Sequence, residues 1–139
     1  MITTYARLDA SLEKPQAGES GAGELAGILF EGLRARGFEA TAPTDRQYAH
    51  FLHCNSGDYE YEIMVAFDFV DGKTWEISCP PRLGLLAKLF GKSERQELGA
   101  LITAVHDILQ SDSRVTSIKW NERYGDRSYD SPNPVVELT

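Results

Sequence analysis

Two histidines and a cysteine stand close together in the sequence, at His50, His53 and Cys54. Imidazole nitrogen and thiolate sulfur bind zinc, and a thiolate beside a base can act as a nucleophile. In a strand, however, His50 and Cys54 share one face whereas His53 points to the other. Further groups, such as Cys79 or His106, would have to be supplied by distant parts of the fold. The pattern therefore favours an ordinary strand, and we expect no metal site and no catalytic residue here.

Carboxylates form the second group, because six acidic residues lie between positions 58 and 76. Acid–base catalysis by two carboxylates usually needs one of them in an apolar pocket, which raises its pKa. Strand alternation instead predicts that Glu60 and Glu62 both face solvent. Such a row raises the local negative potential and steers basic partners, although it could also be merely a solvated face. We predict a partner-binding surface formed by Glu60, Glu62, Asp68 and Glu76.

A third group lies in residues 82–92, where leucines and a phenylalanine alternate with basic side chains. A short basic amphipathic segment can bind a membrane surface or a groove on a partner. A crossover that packs its leucines under the sheet is the alternative. The second interaction candidate is Leu86, Lys88 and Phe90.

The sequence has no phosphate-binding loop, no dinucleotide fingerprint and no nucleophile elbow. We therefore expect a protein without a cofactor that is not an enzyme.

The acidic residues are positioned by a predicted three-strand meander over residues 48–79. Between Asp58 and Phe69 every odd position is large and apolar, which is typical of a half-buried strand. The apolar faces meet only if Phe67 pairs with Trp75, Val65 with Ile77 and Ile63 with Cys79. This register predicts a three-residue turn, 70–72, with Gly72 in the left-handed conformation.

Two helices are expected to cover this meander. Ser20 is the predicted N-cap of a helix that reaches Arg36 and stops at Gly37. Ser93 is the predicted N-cap of a second helix that ends near Gln110. Strands are expected at 2–8 and 114–120.

The predicted order is β-α-β-β-β-α-β. It indicates an α+β fold, a two-layer sandwich with a mainly antiparallel sheet of four to five strands covered on one face by two helices. Residues 1–120 are expected to form a single domain, and residues 121–139 a polar C-terminal arm or tail.

The chain has 139 residues and a formal net charge of −7, which suits one domain and argues against binding to nucleic acid. The N-terminus does not resemble a signal peptide, and no apolar stretch is long enough to span a bilayer. We therefore expect a cytoplasmic protein with no stable membrane association and with both cysteines reduced.

Several short segments follow one another in a suggestive arrangement. Gly37-Phe38 ends the first helix, Tyr61-Glu62-Ile63 and Trp75-Glu76-Ile77-Ser78 lie in the meander, and Leu-Leu-x-x-Leu-Phe-Gly-Lys at 85–92 precedes the second helix and Ile118-Lys119-Trp120. Over about residues 24–120 this arrangement resembles small bacterial proteins of the polymorphic-toxin immunity type. The resemblance implies a cytoplasmic α+β protein that neutralises a cognate toxin by binding it.

Three functions remain open from the sequence. The first is an immunity-type inhibitor that binds a toxin, for example a basic toxin domain, through the acidic sheet face. The second is a regulatory or scaffold module that self-associates or docks through residues 82–92. The third is a small enzyme that gathers His50, His53, Cys54 and His106.

Overall fold

The computed structural model describes residues 2–16, 19–79 and 92–136. These residues form two helices and seven strands. In chain order the elements are β1 (Tyr5–Ala10), α1 (Gly23–Ala35), β2 (Glu39–Ala40), β3 (Thr44–Asp45), β4 (His50–Ser56), β5 (Tyr59–Phe67), β6 (Thr74–Ser78), α2 (Lys92–Ser111) and β7 (Val115–Asn121).

All the strands belong to one antiparallel sheet with the order β2-β4-β5-β6-β1-β7, and β3 also pairs with β4. The α+β class, with two helices packed on the sheet, is confirmed. The sheet has seven strands rather than four to five. The two strands that were not predicted, β2 and β3, contain only two residues each. Strands this short have no hydrophobic periodicity that a sequence could show.

The core lies between the helices and one face of the sheet. The helices bury leucines at positions 25, 29, 33 and 101, and the central strands bury Tyr61, Ile63, Val65 and Trp75. The strand face that points away from the helices is called the outer face below. It carries the even positions of β5 and β6.

The predicted register of the central hairpin is confirmed, since Phe67 pairs with Trp75 and Val65 with Ile77. Gly72 has the expected positive φ of 69°. The connection is longer than predicted. The backbone N–H of Asp68 donates to the carbonyl of Thr74 at 2.8 Å, and residues 69–73 form the loop.

Both predicted N-caps are wrong. Helix α1 begins at Gly23 with Ala22 as its N-cap and without a side-chain cap, because the Ser20 hydroxyl instead contacts Nδ1 of His50 at 2.6 Å. Helix α2 begins at Lys92, so Ser93 lies within its first turn. The end of α1 is as predicted, with Gly37 at a φ of 89°.

The first strand spans Tyr5–Ala10 rather than 2–8, and it lies between β6 and β7. Residues 122–136 fold back over this end of the sheet. Ser131 forms a bridge with Trp120, and Val136 forms one with Ile2. Within the described ranges, no helix is long and apolar enough to cross a membrane.

Candidate functional site

The four predicted carboxylates share the outer face. Glu60 and Glu62 lie in β5, Asp68 follows its last residue, and Glu76 lies opposite Ala66 in β6. Alternation along the strand is the cause, because the odd positions of β5 are committed to the core. The environments of the four differ, and each carboxylate has partners within the chain.

Glu60 and Glu62 are bridged by one histidine. The Nδ1 of His53 lies 2.9 Å from Glu60, and its Nε2 lies 2.9 Å from Glu62. Arg46 approaches Glu62 at 3.7 Å from the neighbouring turn. Arg46 therefore neutralises part of the charge at this end of the acidic row.

Asp68 is held at the start of the β5–β6 loop. One of its carboxylate oxygens accepts the backbone N–H of Val70 at 2.8 Å. Its other oxygen lies 3.4 Å from the guanidinium of Arg127, which reaches over from the C-terminal segment. Asp68 thus joins the hairpin loop to residues 122–136.

Glu76 has hydroxyl partners rather than cations. Tyr5 donates its hydroxyl to Glu76 at 2.7 Å, and Tyr124 lies close enough to Glu76 for this carboxylate to shift its pKa. Burial, and then the negative charge of Glu76, raise the pKa of Tyr124 above its ordinary value. Arg7 is the cross-strand neighbour of Glu76, but its guanidinium binds Asp130 at 2.8 Å instead. No cation of the described residues lies within salt-bridge distance of Glu76.

A cleft of about 720 Å³, called the aromatic cleft below, opens on the outer face between these carboxylates. Its floor includes Phe51, Met64 and Ala66, which pack together with Ala49 outside the main core. Three of the four predicted acids line it, and Glu60 does not. The complete lining is Tyr48, Phe51, Glu62, Met64, Ala66, Phe67, Asp68, Phe69, Val70, Glu76, Ser78, Tyr124 and Arg127.

Exposed apolar side chains are concentrated at this cleft. Tyr48, Phe69, Val70 and Tyr124 are 63%, 57%, 99% and 60% exposed and all line it. Among the described residues the only other exposed large apolar side chain is Tyr129. A cluster of this kind marks interaction surfaces far more often than single exposed residues do.

Sequence reasoning missed the apolar part of this surface. One signal was available, because Met64 and Ala66 interrupt the series of acidic residues at the even positions of β5. Another was the adjacent pair Phe51-Leu52, which makes both faces of β4 apolar. No pattern pointed to Tyr124, which a return of the chain brings over the sheet.

The histidines and cysteines of the proposed enzyme are not brought together. His106 contacts Trp120 on β7, and β7 lies four strands from β4, or roughly 19 Å at the usual strand spacing. His53 points to the outer face and Cys54 is buried in the core. No group of three metal-binding side chains occurs in the described parts of the chain.

Both thiols are buried and free. Burial raises the pKa of Cys54 to about 11, and burial with the nearby Cys54 raises the pKa of Cys79 to about 12. Both sulfurs are therefore protonated at neutral pH, and a protonated thiol is a poor nucleophile.

The contact between Ser20 and His50 pairs a hydroxyl with a possible base, and sequence reasoning did not anticipate it. The Ser20 hydroxyl is buried and also accepts the backbone N–H of Ala22 at 3.3 Å. These bonds tie the loop before α1 to the start of β4, which is a structural role.

The second interaction candidate, Leu86, Lys88 and Phe90, lies outside the described residues.

No protein-family model matches this chain, and no curated protein or solved structure matches it either. The function must therefore be inferred from the residues of the chain itself.

Proposed function

We propose that this chain is a non-enzymatic binding protein, an immunity-type inhibitor of the bacterial cytoplasm that neutralises a cognate toxin by direct contact. The proposed contact surface is the outer face of the sheet, with the aromatic cleft at its centre. The observation that carries the proposal is the concentration of exposed aromatic and apolar side chains in one carboxylate-lined cleft.

The composition of the cleft suits a protein interface. Tyrosine and phenylalanine supply large contact areas at a small cost in side-chain entropy, and they are enriched at binding hot spots. The surrounding carboxylates would accelerate the approach of a basic partner. Since Glu60 and Glu62 already contact His53, they are expected to contribute more to the association rate than to the final affinity.

Co-expression with a candidate toxin from a neighbouring gene tests this function. The wild-type chain should restore growth of the cells, whereas the double variant Glu60→Lys/Glu62→Lys should protect poorly because it associates slowly. The matched control is Glu13→Lys/Glu31→Lys, which makes the same charge change at exposed positions outside the outer face. Full protection by the outer-face double variant would refute this contact surface.

The second candidate function is a regulatory or scaffold module that docks through residues 82–92. Its support is the basic amphipathic pattern of that segment. Replacing Leu86 and Phe90 by Ser tests it. Loss of a partner with an unchanged melting temperature would favour docking, whereas loss of folding would favour internal packing.

A further inference from the structure

The aromatic cleft holds more negative than positive charge. Glu62, Asp68 and Glu76 line it together with a single cation, Arg127. Arg127 is already paired with Asp68. A cationic occupant would therefore meet a carboxylate at Glu76 that forms no salt bridge with the described residues, whereas an anionic occupant would be repelled.

Two arginines of this chain contact carboxylates of the cleft. Arg46, which does not itself line the cleft, places its guanidinium 4.5 Å from the ring centre of Phe51 and 3.7 Å from Glu62. Arg127 lines the cleft and reaches Asp68. The third carboxylate, Glu76, has Arg7 as its cross-strand neighbour, but Arg7 binds Asp130 and does not line the cleft.

We propose that the aromatic cleft binds an arginine side chain from an extended basic segment of the protein partner, with the guanidinium against Glu76. This inference rests on the proposed protein-binding function and names what that surface recognises. The alkyl part of the arginine lies on the apolar floor beside Met64 and Ala66. The exposed rings of Tyr48 and Tyr124 contact the residues on either side of it.

Arginine fits this site better than lysine does. A guanidinium is planar and weakly hydrated, so it can stack on an aromatic ring while it donates to a carboxylate. Arg46 makes this combination of contacts with Phe51 and Glu62, two residues that line the cleft. A cleft of about 720 Å³ also has room for the neighbouring residues of the segment.

The probe for this inference is a blocked tripeptide, acetyl-Gly-Arg-Gly-amide, titrated into ¹⁵N-labelled full-length protein. Backbone amide signals of Met64, Ala66 and Glu76 should shift, with millimolar affinity. The same peptide with citrulline in place of arginine keeps the shape but lacks the charge, and it should bind about tenfold more weakly, since charge-assisted hydrogen bonds are the stronger ones. A lysine peptide should fall between the two.

Glu76→Gln is the decisive variant, because the amide keeps an acceptor for Tyr5 while the charge is lost. Its spectrum reports directly whether the fold is retained. Its affinity for the arginine peptide should fall about tenfold, whereas its affinity for the citrulline peptide should not change. Glu31→Gln, on the exposed side of α1, is the matched control and should bind like the wild type.

Equal binding of the arginine and citrulline peptides would overturn the inference, and so would unshifted cleft signals or a Glu76→Gln variant with full affinity for arginine. These results leave the proposed function standing if charge reversal at Glu60 and Glu62 still abolishes protection against the toxin. Conversely, a cleft that binds the arginine peptide in a chain that gives no protection would retain arginine recognition and reject the immunity-type function.

Discussion

Glu76 differs from the other carboxylates of the aromatic cleft in the groups that surround it. Glu62 and Asp68 have cations within salt-bridge distance, whereas Glu76 accepts the hydroxyl of Tyr5 and raises the pKa of Tyr124. Among the described residues, Glu76 has no salt bridge that a cationic ligand would have to displace. The chemistry of the cleft therefore depends mainly on this residue.

The pKa of Tyr124 responds to the charge of Glu76. Burial and then Glu76 raise the pKa of Tyr124, so Glu76→Gln should lower the pKa of Tyr124 towards its ordinary value of 10.0. Titration followed by the ¹³Cζ chemical shift of each tyrosine measures this effect. Glu60→Gln is the control, since Glu60 is not among the groups that shift Tyr124. An unchanged Tyr124 titration in Glu76→Gln would contradict the placement of this carboxylate.

His106 makes a second contact whose chemistry can be measured. Its Nδ1 accepts the indole N–H of Trp120 at 3.0 Å, so the neutral ring carries its proton on Nε2. Burial lowers the pKa of His106 below its ordinary value of 6.5, against a smaller opposing effect of Asp107. The unfolded chain therefore binds this proton more readily than the folded chain does.

The sign of the resulting pH dependence follows from linkage. The contribution of His106 to stability is present above its unfolded pKa of 6.5 and is lost as the pH falls below it. His106→Gln keeps an acceptor for Trp120 but does not titrate, so its unfolding free energy should decline less between about pH 7.5 and about pH 5.5. Urea unfolding at both pH values measures the difference. An identical decline in both proteins would contradict this role.

Strand alternation explains why part of the site could be predicted at the level of residues. It placed Glu60, Glu62, Asp68 and Glu76 on one face because β5 is long and regular. The partners of these acids could not be predicted in the same way. Arg127 is 59 residues from Asp68 in the sequence, and only the return of the chain brings the two together.

Helix α1 contains two interior glycines in contrasting surroundings. A Cβ on Gly32 would lie 2.7 Å from Cγ1 of Ile108 in α2, whereas a Cβ on Gly27 would meet nothing within 4 Å. The close approach of the two helices at Gly32 is therefore incompatible with a larger residue, and Gly27 is not constrained in this way.

These surroundings predict opposite effects for the same substitution. Gly27→Ala should raise the unfolding free energy by up to about 1 kcal/mol through helix propensity. Gly32→Ala gains the same propensity but crowds the branched side chain of Ile108, and it should lower stability by about 1 kcal/mol overall. Urea unfolding of both variants measures the difference. Equal stabilisation by the two would show that the helices are not packed this closely.

Regular elements were predictable and their ends were not. The pairing of Phe67 with Trp75 followed from matching the apolar faces of two strands. The start of α1 did not follow from local sequence, because Ser20 is engaged by His50 from β4. Tertiary contacts of this kind override local capping preferences.

Residues 122–136 pack against β1 at one side of the sheet. Asp130 accepts from Arg7 at 2.8 Å and from Asn121 at 2.6 Å, and Tyr124 packs edge-on against Tyr5 with ring centres 5.3 Å apart. Tyr5 is fully buried as a result. This segment also supplies Tyr124 and Arg127 to the cleft, so the stability of the segment and the shape of the site are coupled.

Asp130→Ala tests this coupling. It leaves Arg7 and Asn121 without their shared acceptor in a largely buried place, which should cost about 1–3 kcal/mol. Thermal or urea unfolding gives the loss, and hydrogen exchange at residues 122–136 should increase more than exchange in β5. Ser128→Ala, an exposed polar change in the same segment, is the control. Uniform exchange across the chain would contradict the local role of Asp130.

For the whole molecule, the positions of the charged residues are more informative than the net charge of −7. Much of the acid lies on the outer face, where Arg46 and Arg127 compensate part of it and His53 contacts two of the carboxylates. The sequence predicted a wet acidic face, and the structure adds an apolar centre to that face. A basic partner would thus be steered by the rim and held by the cleft.

Site-specific photo-crosslinking tests the central claim that the partner binds at the aromatic cleft. A benzophenone amino acid at Phe69, on the cleft rim, should form one crosslinked product with the toxin domain in cells, through a basic segment of that domain. The same group at Tyr129, which is exposed but does not line the cleft, should form none. Crosslinking at Tyr129 but not at Phe69 would contradict the claim.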